Sequence, residues 1–318
     1  MAESAGASPG TAPKGLRVKS SLRPSLLATR LLGVALALSA VAAAAPAEGV
    51  AAAAAPTVSE RDVMPHLSAL QRIADRNGGN RAHGTRGYAE SVSYVRNALD
   101  RAGFRTELRR FDHDGRAGYN LIADWPGGDP NHVLLTGAHL DSVPVGPGIN
   151  DNGSGSATVL TTALQVAKAR LKPARHLRFA WWGAEEAGLV GSADYVNGLS
   201  ADGRKAIDLY LNFDQTGSRN TQQWLVVQDG AQADEAAGQA FASWFADRGH
   251  ATFDIGIGGS DNESFGNAGI PSSGFSTGIS DCIHQACDTL ANVDPAIETT
   301  STNALIGVLW QLAATTRP

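Results

Sequence analysis

Residues 132–155 read His-Val-Leu-Leu-Thr-Gly-Ala-His-Leu-Asp-Ser-Val-Pro-Val-Gly-Pro-Gly-Ile-Asn-Asp-Asn-Gly-Ser-Gly. The run His132–Thr136 is a short apolar stretch of strand length. Ser154–Ala169, which follows, is rich in Ala, Leu and Val and predicts a helix. Between them, Thr136–Gly155 carries Gly, Pro and Asp and no periodic pattern. A loop of that length in a compact domain is usually functional. Strand, loop and helix in this order form one unit of an α/β sheet.

The same alternation extends both ways. Toward the N-terminus, Val63, His66, Leu67, Leu70, Ile73 and Ala74 follow helical spacing, which stops at Asn77-Gly78-Gly79. A second amphipathic helix is predicted from Tyr88 to Ala102, with Val92, Val95 and Leu99 on one face and Gly103 at the C-terminal cap. Phe104–Phe111 and Asn120–Trp125 read as a pair of strands, and Pro126-Gly127-Gly128-Asp129-Pro130 as a turn. Toward the C-terminus, strands are predicted at His176–Trp182, Asp208–Phe213, Trp224–Gln228 and Pro271–Phe275. Helices are predicted at Ala187–Leu199, Gln232–Arg248 and Asn303–Thr315. The expectation is a single α/β domain whose sheet is covered on both faces, mixed because of the early strand pair.

Acids and histidines fall where such a sheet brings residues together. His139 and Asp141 follow one strand, Asp151 precedes a helix, Glu185 and Glu186 follow the strand ending at Trp182, and Asp214 ends another. His284 lies in a late loop between Cys282 and Cys287. Strand C-termini of an open α/β sheet converge on one edge, so these distant positions can meet. Two imidazoles and four or five carboxylates suit zinc or a similar divalent ion, and they exceed what one metal needs. Two ions with a bridging carboxylate can hold a hydroxide and polarise a carbonyl together. Asp141 is spaced to accept the second ring N–H of His139. Of the adjacent glutamates, one can bind metal while the other takes a proton. An H-x-D or E-E pair alone is more often surface or capping chemistry; the constellation is what carries the reading.

Read together, the motifs at 77–85, 118–128, 137–142, 148–155, 177–186 and 211–214 resemble the secreted bacterial di-zinc aminopeptidases of the leucyl aminopeptidase type. The similarity runs from about Val63 to the C-terminus. It implies a mixed, mostly parallel sheet between helices. It implies His139 and Asp214 as ligands of one zinc, Glu186 and His284 of the other, Asp151 bridging and Glu185 as general base. Cys282 and Cys287 match the family's disulfide around the late histidine. Asp288 and Asp294 match a calcium site of some relatives, with a solvated turn as the plainer reading. The implied substrate is a peptide or small aminoacyl compound, and the expected state is a monomer.

Three departures bear on activity. Many relatives carry Tyr before the late histidine, with its hydroxyl on the oxyanion; here Ile283 offers no donor. The Arg that precedes the Ser-Asp pair is Gly259, and Ser-Asp-His reads Ser260-Asp261-Asn262. The loop before Cys282 is also short, reduced to Thr277–Asp281. A metal-containing peptide-binding module with impaired turnover, or a peptidase with altered specificity, is therefore the alternative to an efficient aminopeptidase. Glu185 favours the enzyme, because a binding module needs no proton shuttle.

The remaining histidines, at 66, 83, 113, 132, 176 and 250, read as surface or packing residues. Trp181 and Trp182 read as core, and Asn152, Gly153, Thr216 and Gly217 as loop-shaping residues. At the N-terminus, five basic residues precede an apolar run from Leu31 to Ala45, followed by Ala45-Pro46-Ala47. About 15 apolar residues fall short of the ~18–20 that span a bilayer, so 1–47 reads as a secretory signal with no stable membrane insertion after its removal. Residues 48–58 read as an Ala/Pro-rich linker or pro-segment and 59–318 as the catalytic domain, expected to be extracellular. Two nearby cysteines in an exported chain point to a local disulfide. With 26 basic and 31 acidic residues, five of the basic ones in the leader, the domain is acidic and no nucleic-acid partner is expected.

Overall fold

The computed structural model describes residues 54–228, 230, 233–256 and 259–314. The signal reading at 1–47 and most of the linker reading lie outside them. Helix α1 (Glu60–Arg76) starts where Asp62 reaches back to the Ser59 N–H at 2.8 Å, and α2 (Arg86–Ala102) starts at Thr85 and stops at Gly103, whose φ of 93° few other residues adopt. The chain then forms β1 (Arg105–His113), β2 (Arg116–Asp124), β3 (Asp129–His139), α3 (Gly155–Ala169) and β4 (Arg175–Trp182). It continues through α4 (Val190–Asn197), α5 (Ala201–Ala206), β5 (Ile207–Phe213), β6 (Trp224–Val227), α6 (Glu235–Ala246) and β7 (Thr252–Asp254). Helix α7 (Asn262–Asn267), β8 (Ser272–Ser276) and α8 (Pro295–Ala313) complete it.

One eight-stranded sheet runs β1-β2-β4-β3-β5-β8-β6-β7. The centre, β4-β3-β5-β8, is parallel; β1, β2 and β6 pair antiparallel. The mixed sheet expected from the early strand pair is thus present. Alternation along each strand divides the core in two. Leu177, Phe179 and Trp181 of β4, with Leu209, Leu211 and Phe213 of β5, pack on one side against α1, α2, α3, α6 and α8. Ala180, Trp182, Ile207 and Tyr210 pack on the other against Tyr195 of α4 and Phe265 of α7. Both tryptophans are core residues, as read from the sequence.

Several boundaries differ from the sequence expectation. The segment Thr136–Gly155 differs from the expectation at its start: β3 runs on to His139, and Ile149–Ser154 forms a kinked turn, extended at Asp151, that leads into α3. The stretch between them is held from behind by the buried guanidinium of Arg81, which donates to the carbonyls of Leu140, Pro147 and Gly148. The Pro126–Pro130 turn is shorter, because Asp129 already pairs with Arg175. Helix α8 begins at Pro295 rather than near Asn303, although Thr and Ser crowd its first turns. Asp294 caps it, accepting from the N–H groups of Ala296 (2.9 Å) and Ile297 (3.1 Å), and Thr299 and Thr302 turn their hydroxyls back to carbonyls one turn earlier. Asp294 is therefore a helix cap, and a role as a calcium ligand is not supported. Helices α5 and α7 and strand β7 were not expected; each is six residues or fewer, too short for a periodic signal.

Candidate metal centre

The parallel strands β3, β4 and β5 end at His139, Trp182 and Phe213, on one edge of the sheet. His139 is the last residue of β3. Glu185 and Glu186 follow β4, Asp214 follows β5, and Asp151 sits in the turn that starts α3. That turn is packed against the end of β5: Asn152 donates to the Phe213 carbonyl at 2.8 Å and accepts from the Gly155 N–H at 2.9 Å. A side chain at Gly155 would strike the Phe213 carbonyl and Asn152, so the approach requires glycine. His284 arrives from a loop closed by the Cys282–Cys287 disulfide, with Cα atoms 5.4 Å apart.

These residues form two triads that share one carboxylate. His139, Asp151 and Asp214 make the first; Asp151, Glu186 and His284 make the second, each with its ligand atoms within 4.8 Å of one another. Nε2 of His139 is 3.3 Å from Asp151 Oδ1 and 3.5 Å from Asp214 Oδ1. Nε2 of His284 is 3.2 Å from Asp151 Oδ2 and 2.9 Å from Glu186 Oε2. With bonds of ~2.0–2.1 Å, two ligands on a tetrahedral zinc stand about 3.3 Å apart, so the spacing fits. His139 Nε2 and Asp214 Oδ1 in the first triad and Glu186 Oε1 in the second are buried without a hydrogen-bond partner, which points to a cation at these groups. The donor set, imidazole nitrogen and carboxylate oxygen, suits zinc.

The electrostatics agree. Burial pushes the Glu185 carboxyl up to about 9, helped by Asp214 and Asp261 and opposed by His139. Burial also raises Glu186 to about 7. Burial works against protonated His139, but Glu185 and Asp214 outweigh it and hold the imidazole well above its ordinary range. His284 rises to about 9, chiefly through its bond to Asp151. Asp151 itself lies below the usual carboxylate range: burial opposes this, and the two histidines overcome it. Carboxylates outnumber cations here, so protons are drawn onto the ligands. Bound dications would supply that positive charge instead.

The structure thus brings together all six residues singled out for chemistry. Asp141 does more than face the His139 ring. The group nearest to His139 Nδ1 is the Asp141 carbonyl, at 3.2 Å, with the carboxylate at 3.6 Å. The carboxylate instead faces the N–H groups of Glu185 (3.2 Å) and Glu186 (3.4 Å), so it orients the glutamate loop as well as the histidine. Asp288 also departs from expectation, because it is 1% exposed rather than in a solvated turn. Sequence reasoning gave no role to Arg81, Asn212 or Ser260 behind the ligands. Arg81 and Ser260 both lie within quoted motifs, but nothing local shows where their side chains point.

The centre opens into a cleft of about 620 Å³. Leu225, Val227, Ile255, Phe275, Ile279 and Ile283 give it an apolar wall, and Ser260, Asn262 and Glu263 line it too; among the described residues no Lys or Arg does. Gly259 lies on the wall with open space where a side chain would go.

The description "Peptidase family M28" matches residues 120–308. Leupeptin-inactivating enzyme 1 of Streptomyces exfoliatus is 46% identical over 298 residues, covering 86% of this chain and 67% of that protein. An aminopeptidase of Pseudomonas aeruginosa is 41% identical over 204 residues, 55% of this chain and 38% of its own length. Among solved structures, the aminopeptidase from Aneurinibacillus sp. strain AM-1 aligns with a TM-score of 0.71 at 16% identity, covering 82% of this chain and 96% of its own. BSAP, a zinc aminopeptidase from Bacillus subtilis, aligns at 0.72 with 14% identity, covering 81% and 96%. The fold and the site define a metallopeptidase of the α/β type. The chain belongs to peptidase family M28.

Proposed function

We propose that the chain is an exported aminopeptidase that hydrolyses the N-terminal residue from peptides with two zinc ions. The observation that carries this reading is the pair of triads sharing Asp151, with Glu185 beside them at the floor of a cleft. His139, Asp151 and Asp214 would hold one zinc, and Asp151, Glu186 and His284 the other. Zinc supplies Lewis-acid polarisation of the scissile carbonyl and acidifies water. Glu185, 3.7 Å from His139 Nε2 and outside both triads, accepts the proton of the attacking water and delivers it to the leaving amine. The carboxylates of Glu185 and Asp214 would face a substrate's free ammonium group, which favours an unblocked N-terminus. The apolar wall seats an apolar first side chain. The disulfide agrees with an oxidising compartment, and so with export.

A second reading is a peptide-binding module with little turnover. Ile283, on the cleft wall, favours it, because no hydroxyl there reaches the developing oxyanion. Losing one such donor costs ~10²–10³ in rate, which slows an enzyme without abolishing it. Zinc-reconstituted protein assayed on amino-acid arylamides, with Glu185→Ala as control, separates the two. Release of arylamine from leucyl or phenylalanyl substrates that vanishes in Glu185→Ala supports the enzyme. Equal background rates in both proteins, with peptide binding intact, favour the module.

A further inference from the structure

Asp288 lies immediately after Cys287, four residues beyond His284, and is buried at 1% exposure. Both oxygens of its carboxylate accept hydrogen bonds. Oδ1 accepts from the Asn150 N–H at 3.0 Å and from Asn292 Nδ2 at 2.7 Å, and Oδ2 accepts from the Asp151 N–H at 2.9 Å. Its carbonyl accepts from the Ile149 N–H at 3.0 Å. Three successive N–H groups, at 149, 150 and 151, therefore end on one residue some 138 positions away.

The reason lies in how the turn begins. The backbone leaves helical geometry at Asp151 and Asn152, so the buried N–H groups of this turn must find acceptors elsewhere in the chain. Gly148, which precedes the turn, has no side chain to offer one. Asp288 supplies the acceptor from outside. A carboxylate is the stronger choice, since hydrogen bonds to an ionised acceptor are shorter and tighter than neutral ones. Asp151, held by this grip, points one oxygen to each histidine. The loop that provides the grip also carries His284 and is closed by the disulfide. The separation of Asp151 from His284 is thus set through Asp288, and the other triad shares Asp151.

We propose that Asp288 is a positioning residue that sets the spacing between the two metal positions, and through it zinc affinity and turnover, without touching metal or substrate. This rests on the two-zinc reading of the same centre.

The test uses the full mature chain with zinc. Asp288→Asn keeps the shape but replaces one acceptor oxygen with an NH₂ that cannot accept. Asp288→Glu keeps the charge on a longer arm. Asn292→Ala removes the third contact, together with a bond to Ser280 Oγ at 3.0 Å, leaves both backbone contacts of the carboxylate in place and serves as control. Zinc dissociation by chelator competition, the melting temperature of the zinc-free protein, and kcat and KM on a leucyl arylamide are measured for each. The expected result for Asp288→Asn is zinc affinity lower by ~10–100-fold and a lower kcat at nearly constant KM, with Asn292→Ala close to wild type. Asp288→Glu should fall between them; it also keeps the test open if Asp288→Asn does not fold. Wild-type zinc affinity in Asp288→Asn or Asp288→Glu overturns the proposal. So does a loss confined to the melting temperature, which marks a purely structural role. A wild-type chain that binds two zinc ions but cleaves nothing sinks the proposed function, while the affinity comparison still decides the role of Asp288.

Discussion

The hydroxyl of Ser260 donates to Oδ2 of Asp214 at 2.7 Å, across 46 residues of sequence. It ends a line of hydrogen bonds from the core. Trp182 Nε1 donates to the Tyr210 hydroxyl (2.8 Å), which donates to Asn212 Oδ1 (2.7 Å), and Asn212 Nδ2 donates to Ser260 Oγ (3.1 Å). Each donor orients the next, so the other oxygen of Asp214 faces His139 in a fixed direction. Ser260→Ala removes the last two bonds of the line, the one from Asn212 and the one to Asp214. Zinc affinity should fall ~10–100-fold at an unchanged fold, read by chelator competition and circular dichroism. An unaltered affinity would mean that Asp214 is held by packing alone.

The paired glutamates should separate cleanly. Glu186→Ala removes a ligand of the His284 triad, so elemental analysis after zinc loading and desalting should drop from two ions toward one. Glu185→Ala should retain both ions and lose ~10²–10⁴ in kcat, the usual contribution of a positioned proton acceptor. Equal metal loss in both variants would show that the two roles are not divided this way.

Ile283, on the cleft wall, offers no hydrogen-bond donor to a developing oxyanion. The wild-type chain should therefore turn over small aminoacyl substrates slowly, and Ile283→Tyr should raise kcat more than it changes KM, because the new contact forms mainly in the transition state. Steady-state kinetics on leucyl arylamide measures both. A wild-type kcat already at the ~10–10³ s⁻¹ of efficient enzymes would show that another group holds the oxyanion.

Stability should depend on pH through Glu298. This residue is fully buried beneath the site, where Thr216 and Thr158 donate to its carboxyl at 2.8 and 3.1 Å. Burial raises it from 4.5 to about 8, against those two hydrogen bonds. Between these values the folded chain holds a proton that the unfolded chain has released. Its stabilising contribution is thus complete below about pH 4.5 and is lost as pH rises through about 8. The change is on the order of a few kcal/mol. Glu298→Gln, neutral throughout, should flatten the denaturation midpoint across that window in urea titrations. An unchanged slope would place the titration elsewhere.

Much of the architecture was legible in residue order. Strand and helix periods, the Asn-Gly-Gly stop after α1 and Gly103 after α2 act over a few residues, within reach of one hydrogen-bonded turn or one strand pair. The types and positions of His139, Asp151, Glu185, Glu186, Asp214 and His284 were likewise plain, because parallel strands deliver their C-terminal ends to one edge by rule. Tertiary structure alone decided the rest. The start of α8 depends on a cap that outweighs its Thr-rich first turns. The true partners of the Asp141 carboxylate, the buried Arg81 behind the loop, the Ser260 bond to Asp214 and the Asp288 grip on Asp151 join residues tens to more than a hundred positions apart. No local pattern encodes such contacts, because they exist only once the sheet has brought its loops together, and there a buried polar group must find its partner wherever the chain supplies one.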